Sequence, residues 1–191
     1  AQGLATSLNV ADRLDEIARL MPQATAIAEP TRRFAGGRRV YRTVTFRELA
    51  EDVDRIACGL IAYGAKRGMR MALLVPPSVD FITLVFALLK SGAVQILIDP
   101  GMGKRNLVRC LTEAQPKGFI AVPRVQAIRA ILRRRFPQAE LNVTVGRRVW
   151  RGGKSLDELR RLGMGVTSSF GVAAADDSAA IIFTRGRNGP A

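Results

Sequence analysis

The sequence contains no histidine, and this absence removes several kinds of chemistry at once. Without imidazole, histidine acid-base catalysis and histidine metal ligation are excluded. Cysteine is nearly as scarce, since only Cys58 and Cys110 are present and each stands alone beside apolar residues in a helical pattern. Two isolated cysteines make neither a zinc site nor a disulfide framework, so no metal site is predicted. We expect both to fill space in the core of a protein from the reducing cytoplasm.

Long uninterrupted apolar runs are also missing. The longest apolar stretch covers residues 81–98, and Lys90, Ser91 and Gly92 divide it into halves too short to cross a bilayer. The N-terminal residues lack the basic-then-apolar pattern of a secretion signal. The sequence therefore predicts no transmembrane segment, while 191 residues with 48% hydrophobic content suffice to bury a core.

Acidic residues are scarce in one segment, which supplies most of the net charge of +14. Residues 101–161 carry 15 basic and 4 acidic side chains, whereas residues 1–100 carry 13 and 10. A basic block is typical of proteins that bind nucleic acid, anionic membranes or phosphorylated ligands, or is simply a solvated face. The part 124–161 has only Phe136 and Trp150 as aromatic residues and no base-reading motif. We predict salt-sensitive, non-specific polyanion binding and no specific nucleic-acid partner.

The rest of the chain alternates between apolar strands and amphipathic helices. Runs rich in Val, Ile and Leu cover residues 69–75, 93–99, 117–122, 140–145 and 178–184. Strands without polar alternation are buried on both faces, which is typical of a parallel sheet covered by helices. We predict an α/β fold with a mostly parallel, doubly wound sheet.

The same patterns divide the chain into parts. We expect a helix and a hairpin in residues 1–44, an α/β core in 45–145, an irregular basic and glycine-rich segment in 146–177, and a strand with its loop in 178–191. The hairpin is expected to turn at Gly36 and Gly37, and Thr45 and Glu48 have the spacing of a capping box at the next helix. A further helix is expected over residues 124–136.

The chain ends in IIFTRGRNGPA, an apolar strand that enters a loop containing Gly186, Gly189 and Pro190. Such loops bind phosphate in α/β proteins, because backbone N–H groups and the start of the following helix point to the anion. The glycine spacing matches neither the Walker A motif nor the dinucleotide fingerprint. An ordinary glycine-proline turn is therefore the competing interpretation.

Several segments resemble adenylate-forming enzymes, the AMP-dependent synthetases and ligases. VTFREL resembles a helix start of that family, and LLVPPSVDFITLVFALLKSGAVQILIDP resembles its strand-helix-strand core. AAIIFTRGRNGPA lies where the family has its glycine-rich phosphate loop. IDPGMGKRNLVRCLTEAQPKGFIA is most similar to the fatty-acyl branch, which includes the β-lactone synthetases of olefin biosynthesis. The resemblance implies a partial AMP-binding domain, the N-terminal subdomain of the adenylate-forming fold.

The resemblance also implies a reaction. Family members use ATP and Mg²⁺ to convert a carboxylic or fatty acid into an acyl-adenylate, and then transfer the acyl group to CoA or close a lactone. Their adenine pocket, acyl pocket and catalytic lysine lie in residues that would follow Ala191. We therefore expect a partial acid-activating ligase that has no catalytic residue of its own and is inactive alone. The alternatives are a non-catalytic remnant and a basic polyanion-binding module.

The resemblance assigns ATP phosphate binding to the terminal loop, at Thr184, Arg185, Gly186, Arg187, Asn188 and Gly189. Family members usually carry small hydroxyl residues where this chain has Arg185, Arg187 and Asn188. Arginine donates hydrogen bonds strongly but is bulky, so it either replaces the hydroxyls as a ligand or obstructs the loop. We expect Arg187, between the two glycines, to face the phosphates and Arg185 to point aside.

Overall fold

The computed structural model describes residues 9–35, 37–147, 152–166, 170 and 177–184. Its helices are α1 Val10–Leu20, α2 Phe46–Ala62, α3 Val79–Lys90, α4 Lys104–Ala114, α5 Pro123–Ile131 and α6 Leu156–Leu162. Its strands are β1 Thr25–Ala35, β2 Arg38–Thr45, β3 Arg70–Leu74, β4 Val94–Ile98, β5 Gly118–Ala121, β6 Leu141–Thr144, β7 Lys154–Ser155 and β8 Ala180–Phe183. In these ranges, no helix is both long and apolar enough to cross a membrane.

Six strands form one parallel sheet in the order β7-β6-β5-β3-β4-β8, and β1 pairs with β2 in a separate antiparallel ribbon. Side chains of the central strand β3 enter two different cores. Met71 and Leu73 pack with buried residues of α2, α3 and α6, whereas Ala72 lies with Leu111 of α4 on the other face. Burial on both faces explains why the strand is apolar from Met71 to Leu74, and it confirms the predicted α/β fold.

Side chains cap the starts of α1, α2, α3 and α6. The Thr45 hydroxyl accepts from the Glu48 N–H at 3.3 Å, and the Glu48 carboxylate accepts from the Thr45 N–H at 2.8 Å. Hydrogen bonds to the carboxylate, first the one from the Thr45 N–H and then the one from the Thr45 hydroxyl at 2.9 Å, lower the pKa of Glu48. The predicted capping box is therefore confirmed, and Ser155 and Glu158 form a second one at α6.

A buried lysine joins the first three helices. Lys90 is only 6% exposed and forms ion pairs with Asp15 of α1 and Asp54 of α2. Burial lowers the pKa of Lys90, but the two carboxylates outweigh it, so the pKa stands above its ordinary value. The Phe170 ring lies 5.1 Å from the ammonium group. This charge holds helices together and is not available to a ligand.

Arg160 performs the same function for α6. Its guanidinium donates to both carboxylate oxygens of Asp52 at 2.8 and 2.9 Å, to Asp80 at 2.9 Å and to Asp157 at 3.0 Å. A bidentate pair of this kind fixes orientation as well as charge. Burial opposes the charge, yet these carboxylates keep the pKa of Arg160 above its ordinary value. The charge of Arg160, one of the basic residues of the segment 124–161, is thus paired with carboxylates of the protein itself.

Three details differ from the sequence-based expectations. The helix predicted over residues 124–136 is wrong in extent, because α5 ends at Ile131 and Arg133–Arg135 form a single 3₁₀ turn. This tighter turn brings Phe136 into the core, where its ring packs edge-to-face against Phe119 at 5.2 Å. The strand β7 was not expected, and β1 continues beyond the apolar part of its sequence to Ala35. Both cysteines are buried and free, as predicted.

Helices α2 and α6 pack with their backbones in direct contact. A Cβ atom placed on Gly59 of α2 would overlap the carbonyl group of Leu159 in α6, and one on Gly163 would overlap the carbonyl group of Arg55. The overlapping atoms belong to the backbone and cannot rotate away. Glycine is therefore required at residue 59 for packing, although it is unfavourable inside a helix.

We predict that Gly59→Ala lowers the free energy of unfolding by about 1–3 kcal/mol, the usual cost of overpacking a core. Helix propensity alone predicts that the substitution raises the free energy of unfolding, because alanine is favoured over glycine in a helix by about 1 kcal/mol. Urea unfolding followed by circular dichroism measures the difference. A variant as stable as the parent, or more stable, would show that the two helices are not held at this distance.

Candidate functional site at the carboxyl edge of the sheet

The carboxyl ends of the parallel strands meet at one edge of the sheet, where a groove of about 680 Å³ opens. The connection that leaves β3 runs to β4, and the connection that leaves β5 runs in the opposite direction to β6. A crevice forms where neighbouring connections diverge in this way, and open α/β sheets bind ligands there. We call this cavity the edge groove.

The walls of the edge groove are mostly apolar. They come from strand ends and from helices α3, α4 and α5, and include Leu74, Val75, Phe81, Leu97, Leu107, Val125, Ile128 and Phe183. Two apolar residues of the wall remain open to solvent, since Ile128 is 49% exposed and Ile182 is 64% exposed. Apolar surface of this kind at a ligand-binding edge suits a ligand with a hydrocarbon part.

The pairing of β8 with β4 places Thr184 at the groove. In the parallel register Ile98 lies opposite Phe183, and the Asp99 N–H donates to the Phe183 carbonyl oxygen at 3.1 Å. Thr184 follows directly, is exposed and lines the edge groove. The other residues assigned to the phosphate loop lie outside the described residues, namely Arg185, Gly186, Arg187, Asn188 and Gly189. Their role stays a prediction.

Asp99 and Lys104 line the edge groove, and neither was identified as a site residue from the sequence. The Asp99 carboxylate accepts from the Gly101 N–H at 2.8 Å and fixes the turn after β4. Gly103 then adopts a φ of 79° and leads into α4, whose first residue is Lys104. The sequence contains this turn as Asp-Pro-Gly, but only the topology shows that it opens at the groove.

The start of α4 makes this part of the groove electropositive. No side chain caps the helix, and its first turn contains no acidic residue. The free N–H groups of a helix start carry a partial positive charge. Lys104, which carries a positive charge, lines the groove, as does the Asp99 carboxylate that accepts from the Gly101 N–H. The edge groove thus combines apolar walls with an end that favours an anion.

Among the described residues, the basic side chains of the segment 124–161 do not gather at one ligand-binding site. Arg160 lies among carboxylates, and the Arg129 side chain donates to Gln126 at 2.8 Å. Burial lowers the pKa of Arg129. Gln126 is buried and donates to the Phe119 and Val143 carbonyl oxygens, which fixes α5 on the sheet. Arg133–Arg135 are exposed.

Comparison with known proteins identifies the family to which this fold and edge belong. The sequence profile of the AMP-binding enzymes matches residues 14–189, so the chain belongs to the AMP-binding enzyme family. It is 44% identical over 187 residues to an olefin beta-lactone synthetase of Xanthomonas campestris pv. campestris. It is also 44% identical over 183 residues to the olefin beta-lactone synthetase of Stenotrophomonas maltophilia.

These alignments cover 97% and 95% of this chain, but 34% and 33% of the two synthetases. The chain therefore spans about one third of the length of the curated relatives that it matches.

Solved structures share the fold. An anthranilate CoA ligase in complex with anthranoyl-AMP superimposes with a TM-score of 0.77 at 19% identity, covering 96% of this chain and 33% of that one. A long-chain-fatty-acid-CoA ligase of Archaeoglobus fulgidus gives 0.76 at 22% identity, covering 93% and 34%. The N-terminal subdomain of Klebsiella oxytoca NpsA gives 0.66 at 21% identity, covering 98% and 40%. The predicted N-terminal subdomain of an adenylate-forming fold is confirmed.

We predict that the edge groove binds an apolar fluorescent probe such as anilinonaphthalene sulfonate, and that Ile128→Asp raises its dissociation constant about tenfold, equivalent to about 1.4 kcal/mol. A carboxylate in the wall removes apolar contact and repels the sulfonate. Ile131→Asp is the matched control, because Ile131 lies on the same helix, is 80% exposed and is not part of the groove wall. Equal effects of the two substitutions would contradict binding in the groove.

Proposed function

We propose that the chain is the N-terminal part of a ligase that activates a carboxylic acid with ATP, giving an acyl-adenylate and pyrophosphate. Family membership supports the reaction class. The observation that carries the proposal is the position of Thr184, where β8 ends beside a groove with apolar walls and the open start of α4. The start of α4 suits an anion, and the apolar walls suit a hydrocarbon chain.

ATP supplies the adenylyl group and the pyrophosphate leaving group when it is bound. The residues of this chain would bind and orient its β- and γ-phosphates through the loop at 184–189. The Thr184 hydroxyl donates to a phosphate oxygen, and Lys104 and the N-terminus of α4 add positive potential on the same side. The apolar walls would contact the hydrocarbon part of the acid. Mg²⁺ is expected to accompany ATP, and we assign no residue of this chain to it.

The substrate class follows from the relatives and from the groove. Both synthetases at 44% identity are named for β-lactone formation. This favours a fatty acid with a β-hydroxyl group as the activated acid, since lactone closure needs that oxygen to attack the acyl carbon and displace AMP. Transfer to CoA is the alternative acceptor reaction. Two free, buried cysteines support a location in the reducing cytoplasm.

We expect the 191-residue chain alone to release no pyrophosphate in the presence of ATP and a fatty acid. The segments that bind adenine and the acid in this family would lie in the remaining two thirds of the longer relatives. Pyrophosphate release measured on the purified chain tests this directly. Release that requires both ATP and fatty acid would show that the chain is a complete enzyme.

The loop gives a sharper test of phosphate binding. We predict that Arg187→Ala weakens ATP binding by about one to two decades, since a charge-assisted hydrogen bond contributes about 1.5–3 kcal/mol. Arg185→Ala, the matched control two residues away, should have a smaller effect because it follows the strand directly. Calorimetric titration of ATP into the chain and each variant gives the constants.

Replacing both arginines by serine separates the two interpretations of the loop. If Arg187 is a ligand, the double serine variant binds ATP more weakly than the parent. If both arginines obstruct the loop, serine opens it and ATP binds more tightly. A parent chain whose melting temperature does not respond to ATP at all would favour the non-catalytic alternative.

A further inference from the structure

The antiparallel ribbon of β1 and β2 is separate from the parallel sheet and is fixed to the body at its base. Val44 is buried, and Ile27 packs against the same core. The Phe46 N–H donates to the Ala24 carbonyl oxygen at 3.0 Å, which closes the base against α2. The opposite end of the ribbon, around the turn at Gly37, is formed by exposed residues.

The register sorts the ribbon side chains onto two faces. Along β2 every second residue shares a face, so Arg39 and Tyr41 point away from the face on which Val44 enters the core. Their cross-strand partners are Phe34 and Pro30, which therefore lie on the same outer face. Phe34 is 63% exposed and Tyr41 is 55% exposed.

Exposed arginines occur on both faces of the ribbon. Arg33, Arg38, Arg39 and Arg42 are all exposed, and Glu29 is the one acidic residue between positions 29 and 42. Within the described parts of the chain, none of these four arginines forms a salt bridge. The Arg39 guanidinium lies 5.4 Å from the centre of the Phe34 ring. Arg39 shares the outer face with the two rings, whereas Arg38 and Arg42 alternate to the opposite face. The ribbon thus combines open apolar rings on one face with a strongly positive charge around its free end.

We propose that the free end of the ribbon, with Phe34, Arg39 and Tyr41 on one face and Arg38 on the other, docks on an anionic lipid surface. Guanidinium groups bind lipid phosphates, and polybasic segments are attracted by the negative cytoplasmic leaflet. Tyrosine is enriched where membrane and water meet, and phenylalanine enters the boundary of the acyl chains. The surface is distinct from the edge groove, and the inference goes beyond the proposed function without depending on it.

The geometry favours lipid over nucleic acid as the partner. Non-specific binding of single-stranded nucleic acid relies on bases that stack on an open aromatic face. The Arg39 guanidinium covers the Phe34 ring, so a stacking base would have to displace it. A lipid surface accepts the pair together, with the guanidinium at the level of the phosphates and the ring below it.

Co-sedimentation of the 191-residue chain with lipid vesicles tests the proposal. We expect binding to vesicles of phosphatidylcholine with phosphatidylserine and little binding to phosphatidylcholine alone. Arg38→Glu/Arg39→Glu should weaken binding roughly tenfold or more, because each basic residue near the surface contributes to the attraction. Arg134→Glu/Arg135→Glu is the matched control, with the same change of charge on an exposed turn elsewhere, and should retain most of the binding.

A second pair of variants tests the aromatic part without any change of charge. Phe34→Ser should weaken binding to the anionic vesicles several-fold, and Phe34→Trp should restore it, since tryptophan also suits the interface. Circular dichroism checks that each variant is folded. The proposal is overturned if both arginine pairs weaken binding equally, if Phe34→Ser and Phe34→Trp behave alike, or if duplex DNA binds the ribbon more tightly than the vesicles do.

Discussion

The candidate site depends on the parallel pairing of β8 with β4. This pairing joins segments that are far apart in the sequence, and its register sets Phe183 opposite Ile98 and brings Thr184 to the groove. A shift by one residue would turn every β8 side chain to the other face of the sheet. Ile181 and Phe183 pack against the core formed with Ile96 and Phe119, and this burial selects the register.

Charge in this protein serves packing as well as ligand binding. Lys90 and Arg160 each face at least two carboxylates from neighbouring helices, and together they join α1, α2, α3 and α6 on one face of the sheet. Removing one partner of such a group leaves a charge without compensation, which is why these clusters favour one arrangement of the helices. Net charge alone therefore overstates the capacity of the chain to bind anions.

The sequence predicts features that depend on neighbouring residues. The apolar strands and the capping box at Thr45 were both visible in the sequence, because burial on both faces and capping have local patterns. The 3₁₀ turn at Arg133–Arg135 was not, since it depends on where Phe136 finds space beside Phe119. The two-residue strand β7 has no apolar pattern to indicate it.

The edge groove itself has no pattern in the sequence. Its walls come from strand ends and helices that the topology alone brings together, and Lys104 becomes a site residue only because α4 begins at that edge. Likewise, the aromatic and basic face of the ribbon appears only in the register, which places Phe34 beside Arg39 and Pro30 beside Tyr41. Nonlocal contacts of this kind require the structure.

Amide chemical shifts of the isotope-labelled chain, recorded with and without ATP, test the central claim most directly. If the carboxyl edge holds the phosphates, the largest changes will fall at Thr184, in the loop at 185–189 and from Asp99 to Lys104. The opposite edge of the sheet contains its own basic cavity, lined by Lys66, Arg70 and Lys117, and should change little. Changes concentrated at that opposite edge, with Thr184 and Lys104 unaffected, would contradict the account.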